Sequence, residues 1–378
     1  MRIYLDHNAT APLAPAARAA MLEAASTLGN PSSIHGDGRA ARALVEDARA
    51  AVARLCGGEV DEVVFTSGGT EACALGLVGL ARLARDRGRP ARILIPAIDH
   101  PATLGAAEAL AREGFAIAHV RVDGAGRIDL DALAADAAAG GAVIAIAAAN
   151  HELGTIQDVA AIAAIARAHG WLVHLDAVQA AGKVALAPLA AAVDALAISG
   201  HKLGGPAGVG AAWLRRGLAI EPLWPGGHQE RGRRPGTENL VGIAGLGAAA
   251  LAADPARFVE VAARAARFEA QLVALGATIR AQAAPRIGNT VNARFAGARG
   301  DAIVMALDLA EVSASTGAAC TSGSIKPSAV LLAVGEAVAD ARAAVRFSLG
   351  ADTTDAELDR VIELLPAIVA RVRRHAPT

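Results

Sequence analysis

The stretch Ala195-Leu196-Ala197-Ile198-Ser199-Gly200-His201-Lys202-Leu203-Gly204-Gly205-Pro206 decides the architecture, because a short apolar run passes directly into a glycine-rich turn that carries one of three lysines in the chain. A run of that length bounded by turn residues reads as a strand buried on both faces. Six more runs of the same kind, at 63–66, 93–95, 117–122, 143–148, 172–175 and 209–213, alternate with longer helical segments. Seven such strands predict an α/β fold with a mostly parallel, seven-stranded sheet covered by helices on both faces. Between the strands, Leu44, Val45, Ala48, Val52 and Leu55 recur at helical spacing and predict one buried helix face.

Beyond residue 252 the pattern changes. A long helix runs through Phe258, Val261 and Phe268, followed by short strands and a Ser/Thr/Gly-rich loop at 313–324. The last helix is announced by the capping-box pair Thr354 and Glu357 and by the stripe Leu358, Val361, Leu365, Ile368. The expected division is a large domain at 14–252, with 1–13 and 253–378 forming a smaller α+β domain that carries the loop of Cys320.

Composition narrows the function classes. The 378 residues are 54% hydrophobic but only 3% aromatic, so packing must rely on small aliphatic side chains. The net charge of −1 offers no long-range attraction for nucleic acid or a membrane surface, and no apolar run has the length of a transmembrane helix. The N-terminus enters a strand-like Arg2-Ile3-Tyr4-Leu5 without a cleavable leader, so a cytoplasmic location is expected. Cys56, Cys73 and Cys320 are odd in number and widely separated, which matches neither a disulfide framework nor a zinc site.

Three turns carry chemistry. Thr66-Ser67-Gly68-Gly69-Thr70-Glu71 lies between a strand and a helix, where free N–H groups and the positive helix end suit a phosphate, although such turns also occur with no ligand. In His174-Leu175-Asp176-Ala177-Val178-Gln179 an acid stands at a strand's carboxyl end, where open α/β sheets build ligand crevices. It suits a protonated pyridine nitrogen, although a helix N-cap is the more common use of an isolated Asp after a strand. Lys202, set in a crevice turn, is a candidate amine nucleophile, the alternative being a surface lysine. Cys320 sits among small residues in a loop that can move, whereas Cys56 and Cys73 read as core residues.

Ordered motifs along the whole chain carry a resemblance. They are Tyr4-Leu5-Asp6-His7-Asn8-Ala9-Thr10, Gly29-Asn30-Pro31-Ser32-Ser33, the Thr-Ser-Gly-Gly-Thr-Glu turn, Asp176 with Gln179, Ser-Gly-His-Lys, Arg234-Pro235-Gly236-Thr237-Glu238-Asn239, Ala319-Cys320-Thr321-Ser322-Gly323-Ser324 and Val345-Arg346-Phe347-Ser348. The chain resembles the cysteine desulfurases of the NifS/IscS type, pyridoxal-phosphate enzymes of fold type I in the class V aminotransferase family.

The resemblance implies a cytoplasmic homodimer that converts L-cysteine to L-alanine and passes the sulfur, as a persulfide on Cys320, to an acceptor protein such as an iron–sulfur scaffold. It implies that Lys202 holds pyridoxal 5'-phosphate and moves the substrate α-proton. Asp176 would pair with the ring nitrogen, Gln179 would bond the ring oxygen, and His100 would stack on the ring and serve in proton transfer. Gly69, Thr70, Ser199 and His201 would hold the phosphate, with Thr237 supplied by the second subunit. Arg346 would take the substrate carboxylate, and Asn150 would contact substrate. At the next position the family usually has a second asparagine against the cofactor, and this chain has His151, whose titration is expected to make the site respond to pH near neutrality. Another fold type I activity (aminotransferase or selenocysteine lyase) and a catalytically impaired sulfur-handling scaffold are the alternatives.

Overall fold

The computed structural model describes residues 2–317 and 326–375, so Cys320 lies outside the described residues. Twelve strands occur in it: β1 (Ile3–Tyr4), β2 (Val63–Thr66), β3 (Arg92–Pro96), β4 (Ala116–Val120), β5 (Val143–Ala147), β6 (Leu172–Asp176), β7 (Ala195–Ser199), β8 (Gly210–Leu214), β9 (Thr278–Ile279), β10 (Thr290–Arg294), β11 (Val312–Ser313) and β12 (Ala344–Ser348). The seven expected strands are β2 to β8. They form one sheet in the order β2-β8-β7-β6-β5-β3-β4, parallel except for β8, which runs against both neighbours.

Alternation along the strands explains why they read as unbroken apolar runs. Val63, Phe65, Ile144, Ile146, Val173 and Leu175 enter the core on one face, while Val64, Val143, Ala145, Ala195 and Ala197 enter the core on the other. The first four helices of the chain are α1 (Pro15–Ala25), α2 (Gly36–Cys56), α3 (Gly69–Asp86) and α4 (Pro101–Arg112), and later helices add Leu133, Ile162 and Leu246 to the same core. Val45, Ala48 and Val52 are the buried face of α2. The helix ends at Cys56 because Gly57 follows in the left-handed conformation at φ 70°.

A separate core gathers Val261, Phe268, Val291, Val345, Phe347, Leu358, Val361, Leu365 and Ile368 with Ile3 and Leu5 from the N-terminus. Its antiparallel sheet is β9-β10-β12, and β1 pairs in parallel with β11. Phe268 and Phe347 meet edge to face at 5.3 Å. The capping box of Thr354 and Glu357 starts the helix Asp355–Arg374. Among the described residues no single helix is long and apolar enough to cross a membrane.

Strand direction assembles the site. Because β8 is the reversed strand, β2 is parallel to β7, and Gly210 registers with both Thr66 and Ser199. A Cβ at Gly210 would fall 2.6 Å from the Gly68 carbonyl carbon and 2.7 Å from the Ile198 oxygen, so this close approach requires glycine. The chain therefore leaves β2, β3, β5, β6 and β7 at the same edge of the sheet, where strand order favours a crevice.

Candidate active site

At that edge Lys202 follows β7 in a single 3₁₀ turn, Gly200–Lys202. Its Nζ donates to the Asn8 carbonyl and, at 2.7 Å, to the Ala9 carbonyl. Burial, with Arg346 beside it, lowers its pKa to about 8, against the opposing pull of Asp6 and Asp176. An amine so placed has a substantial neutral, nucleophilic fraction near physiological pH.

Asp176 ends β6 and is buried; its Oδ1 accepts from Val178 N at 2.9 Å. Burial raises its pKa, with the Val178 N–H, His100 and Lys202 among the influences that lower it. It caps no helix. Asp99, also buried, takes the Ala147 N–H on Oδ1 and leaves Oδ2 without a partner among the described residues. Its proton affinity is pushed well up, first by burial and then by Asp176. The pair gives the crevice two proton-hungry carboxyls, an environment that favours a cationic nitrogen.

His100 is the N-cap of α4, its Nδ1 accepting from Ala102 N at 3.1 Å. Its ring meets that of His151 edge to face at 5.3 Å. Burial, followed by His100, Arg346 and Lys202, takes the His151 pKa to about 3. The expectation of a His151 titration near neutrality is therefore corrected: burial keeps this imidazole neutral. Asn150 lies beside it and is buried. Its Oδ1 accepts from Glu152 N and Leu153 N, both at 2.9 Å, and its Nδ2 donates to the Ile98 carbonyl, so the amide organises its own turn.

The N-terminus of α3 at Gly68 has no side-chain cap. A Cβ at Gly69 would sit 3.0 Å from the Cβ of Ser199 and from Cγ2 of Val178, which brings the uncapped turn against the end of β7. Thr70 is exposed beside it. His201 sits 3.2 Å from Thr10 Oγ1 through Nδ1. Glu71 accepts from Ser67 N at 2.6 Å and pairs with Arg234 at 2.8 Å, anchoring the segment that carries the exposed Thr237.

Arg346 comes from β12, in the other core. Nη1 donates to the His151 carbonyl at 3.0 Å and Nη2 to Asp6 Oδ1 at 2.7 Å, while Nε has no partner among the described residues. Gln179 donates Nε2 to the Asn8 carbonyl and accepts from Lys183 on Oε1, both at 2.9 Å. A cavity of about 450 Å³ is lined by Tyr4, His7, Lys183, Lys202 and Arg257, but not by Asp176 or His100.

Sequence reading did not find Asp6, Asn8, Asp99 or Lys183. It placed Cys73 in the core, which holds, but missed that the thiol lies by Asp176 and Thr103, where burial and then Asp176 push its pKa well up. Burial likewise raises Cys56, to about 12.

A buried acid, a basicity-depressed lysine and an uncapped helix end at one sheet edge define a site that takes a phosphorylated pyridine aldehyde: the Asp176 carboxyl, the Gly69 cradle and the Lys202 amine fit its nitrogen, phosphate and carbonyl. Residues 3–361 match the Aminotransferase class-V family. A cysteine desulfurase of Cereibacter sphaeroides is 44% identical over 382 residues, covering 100% of this chain and 98% of that protein. A solved NifS-like protein superposes with a TM-score of 0.91 at 32% identity, over 98% of this chain and 100% of that one. Another, described as SspA in complex with cysteine, gives 0.81 at 29% identity, over 92% and 99%. The chain belongs to the class-V aminotransferase family and, within it, to the pyridoxal-phosphate-dependent cysteine desulfurases.

Proposed function

We propose that this chain removes sulfur from L-cysteine, leaving alanine, with Lys202 as the reacting amine and Cys320 as the sulfur carrier. The observation that supports this most is Lys202 itself, an amine lowered to about 8 at a strand end, between Asp176 and Arg346. When bound, pyridoxal 5'-phosphate supplies an electron-withdrawing ring that weakens the Cα–H and Cβ–S bonds of an attached amino acid.

The chain's residues do the rest. Lys202 would hold the cofactor, with Asp176 at the ring nitrogen, Gln179 at the ring oxygen, His100 against the ring, and Gly69, Thr70, Ser199 and His201 around the phosphate. The planar guanidinium of Arg346, with Nε unpartnered among the described residues, would receive the substrate carboxylate. Once free, Lys202 Nζ is the group to carry the α-proton, and His100 is placed to relay a second. The Cys320 thiolate would attack the substrate sulfur: the S–S bond forms, the Cβ–S bond breaks, its electron pair stays with carbon, and protonation of carbon yields alanine. The resemblance of the 234–239 segment favours a homodimer in which Thr237 reaches the partner's phosphate site. A cytoplasmic setting, with an iron–sulfur scaffold protein as acceptor, completes the reading.

Borohydride reduction of the yellow protein should fix the cofactor to Lys202, located by mass spectrometry. An adduct on Lys183 or Lys326 would overturn the assignment. Cys320→Ala should keep the visible absorbance and lose alanine and sulfide production to background; retained turnover would remove Cys320 from the mechanism.

A further inference from the structure

We propose that Lys183 is a positioning residue for the reacting amine, acting through Gln179 on the Asn8 carbonyl against which Lys202 rests. Three hydrogen bonds form one chain. Lys183 Nζ donates to Gln179 Oε1 at 2.9 Å, Gln179 Nε2 donates to the Asn8 carbonyl at 2.9 Å, and the same carbonyl accepts from Lys202 Nζ. The end groups leave the amide one orientation. A backbone carbonyl only accepts, so the Gln179 nitrogen must face Asn8, and its oxygen then faces the lysine donor. One carbonyl has lone pairs for both donors.

The cost of this arrangement indicates a purpose beyond filling space. Lys183 is only 7% exposed, and the charges acting on its amine are those of Lys202 and Arg346, both cations. Burial, with those two neighbours, lowers it to about 7. A buried ammonium lacking a counter-ion is unfavourable, and an apolar side chain of the same length would avoid the penalty. An amine retains its N–H donors even when neutral, so Gln179 stays pinned across the working pH range.

Loss of Lys183 frees the Gln179 amide to turn. The Asn8 carbonyl then loses a competing donor and becomes a stronger acceptor for the Lys202 ammonium, which stabilises protonated Lys202. The groups that set Lys202 directly are Arg346 from β12, Asp6 from the N-terminal segment and Asp176 from β6, with His100 and His201 also beside it. Lys183 is faced by Lys202 and Arg346 and acts in turn on His7.

The test is the rate at which full-length, cofactor-stripped protein takes pyridoxal 5'-phosphate onto Lys202 as a function of pH, trapped with borohydride and located by mass spectrometry. In Lys183→Met the midpoint should rise by about half a unit to one unit, slowing capture at pH 7 by roughly three- to tenfold. In a Gln179→Met background the same substitution should add nothing. Lys183→Gln, which restores an N–H donor, should stay near the parent value, and it serves if the methionine variant does not fold. An unchanged midpoint in Lys183→Met, a full additive shift in the Gln179→Met background, or a shift in Lys183→Gln equal to that of methionine would overturn the role. The inference rests on Lys202 as the reacting amine: no Lys202 adduct in the parent protein defeats that assignment, whereas an adduct with an insensitive midpoint defeats only the part played by Lys183.

Discussion

The two halves of this active site are built by different means. Asp176, Ser199 and Lys202 stand at the ends of strands buried on both faces, so the core that forms the sheet also fixes the site. Arg346, Asp6 and Asn8 come from β12 and the N-terminal segment and are held by polar contacts that span the chain. The Arg346–Asp6 pair joins residues 340 apart in sequence. On the proposed roles, rigidity at the strand ends suits the cofactor, whereas an ion pair that can exchange partners suits a substrate that must enter and leave.

The largest test of this contrast is at Asp176. Asp176→Asn should lower turnover by about 3–5 kcal/mol, the usual cost of leaving a buried charge without its partner, or roughly 10²- to 10⁴-fold. The cofactor-free protein should respond in the opposite sense. Burial raises the Asp176 pKa in the folded state, so the folded state binds the proton more tightly than the unfolded chain, and stability falls as pH rises from the unfolded pKa through the folded one. The asparagine variant removes that loss and should have a higher thermal midpoint at neutral pH. A lower midpoint in the absence of cofactor would make Asp176 a structural group of the strand.

Asp6 tests the other half with a smaller effect. Asp6 raises the Lys202 pKa from its depressed value and neutralises Arg346. Asp6→Asn keeps an acceptor oxygen but removes the charge, so the pH midpoint for cofactor capture by Lys202 should fall by about half a unit, and the cysteine KM should drop a few-fold because Arg346 has lost a competing anion. Asp6→Ala also removes the acceptor and should raise KM instead. The same KM in both variants would mean that Asp6 neither competes with the substrate nor orients Arg346.

This division also explains what could be read from the sequence. All seven sheet strands were legible, six of them because strands with both faces buried are continuously apolar, as in β5, where every residue from Val143 to Ala147 is buried, whereas β4 lies half-exposed at the sheet edge. Asp176 and Lys202 were legible for the same reason, each following such a run. Contacts to the Asn8 and Ala9 carbonyls were not, since a backbone acceptor leaves no residue signature. Nor does the type of Asn150 reveal that its amide is committed to its own turn. Lys183 did leave a signal, being one of three lysines and four residues after Gln179 in the turn that leaves β6. Only the packing shows that it is buried.

His151 sharpens the comparison with the smallest effect, because it lies where the halves meet, its carbonyl accepting from Asn8 Nδ2 and Arg346 Nη1 and its ring against His100. These contacts hold the backbone, so His151→Asn should change turnover by less than about tenfold. A group with a pKa of about 3 does not titrate between pH 6 and 9, and the pH–rate profile over that range should keep its shape. Stability should reveal the substitution at lower pH. The unfolded histidine gains a proton near pH 6.5 while the half-buried one in the fold resists until about pH 3, so stability is lost as pH falls through that window. The asparagine variant should lose less stability on acidification, and His174, buried with its pKa also at about 3, should account for part of what remains. A rate limb near pH 6–7 that disappears in His151→Asn would show instead that the imidazole reaches solvent and takes part in proton transfer.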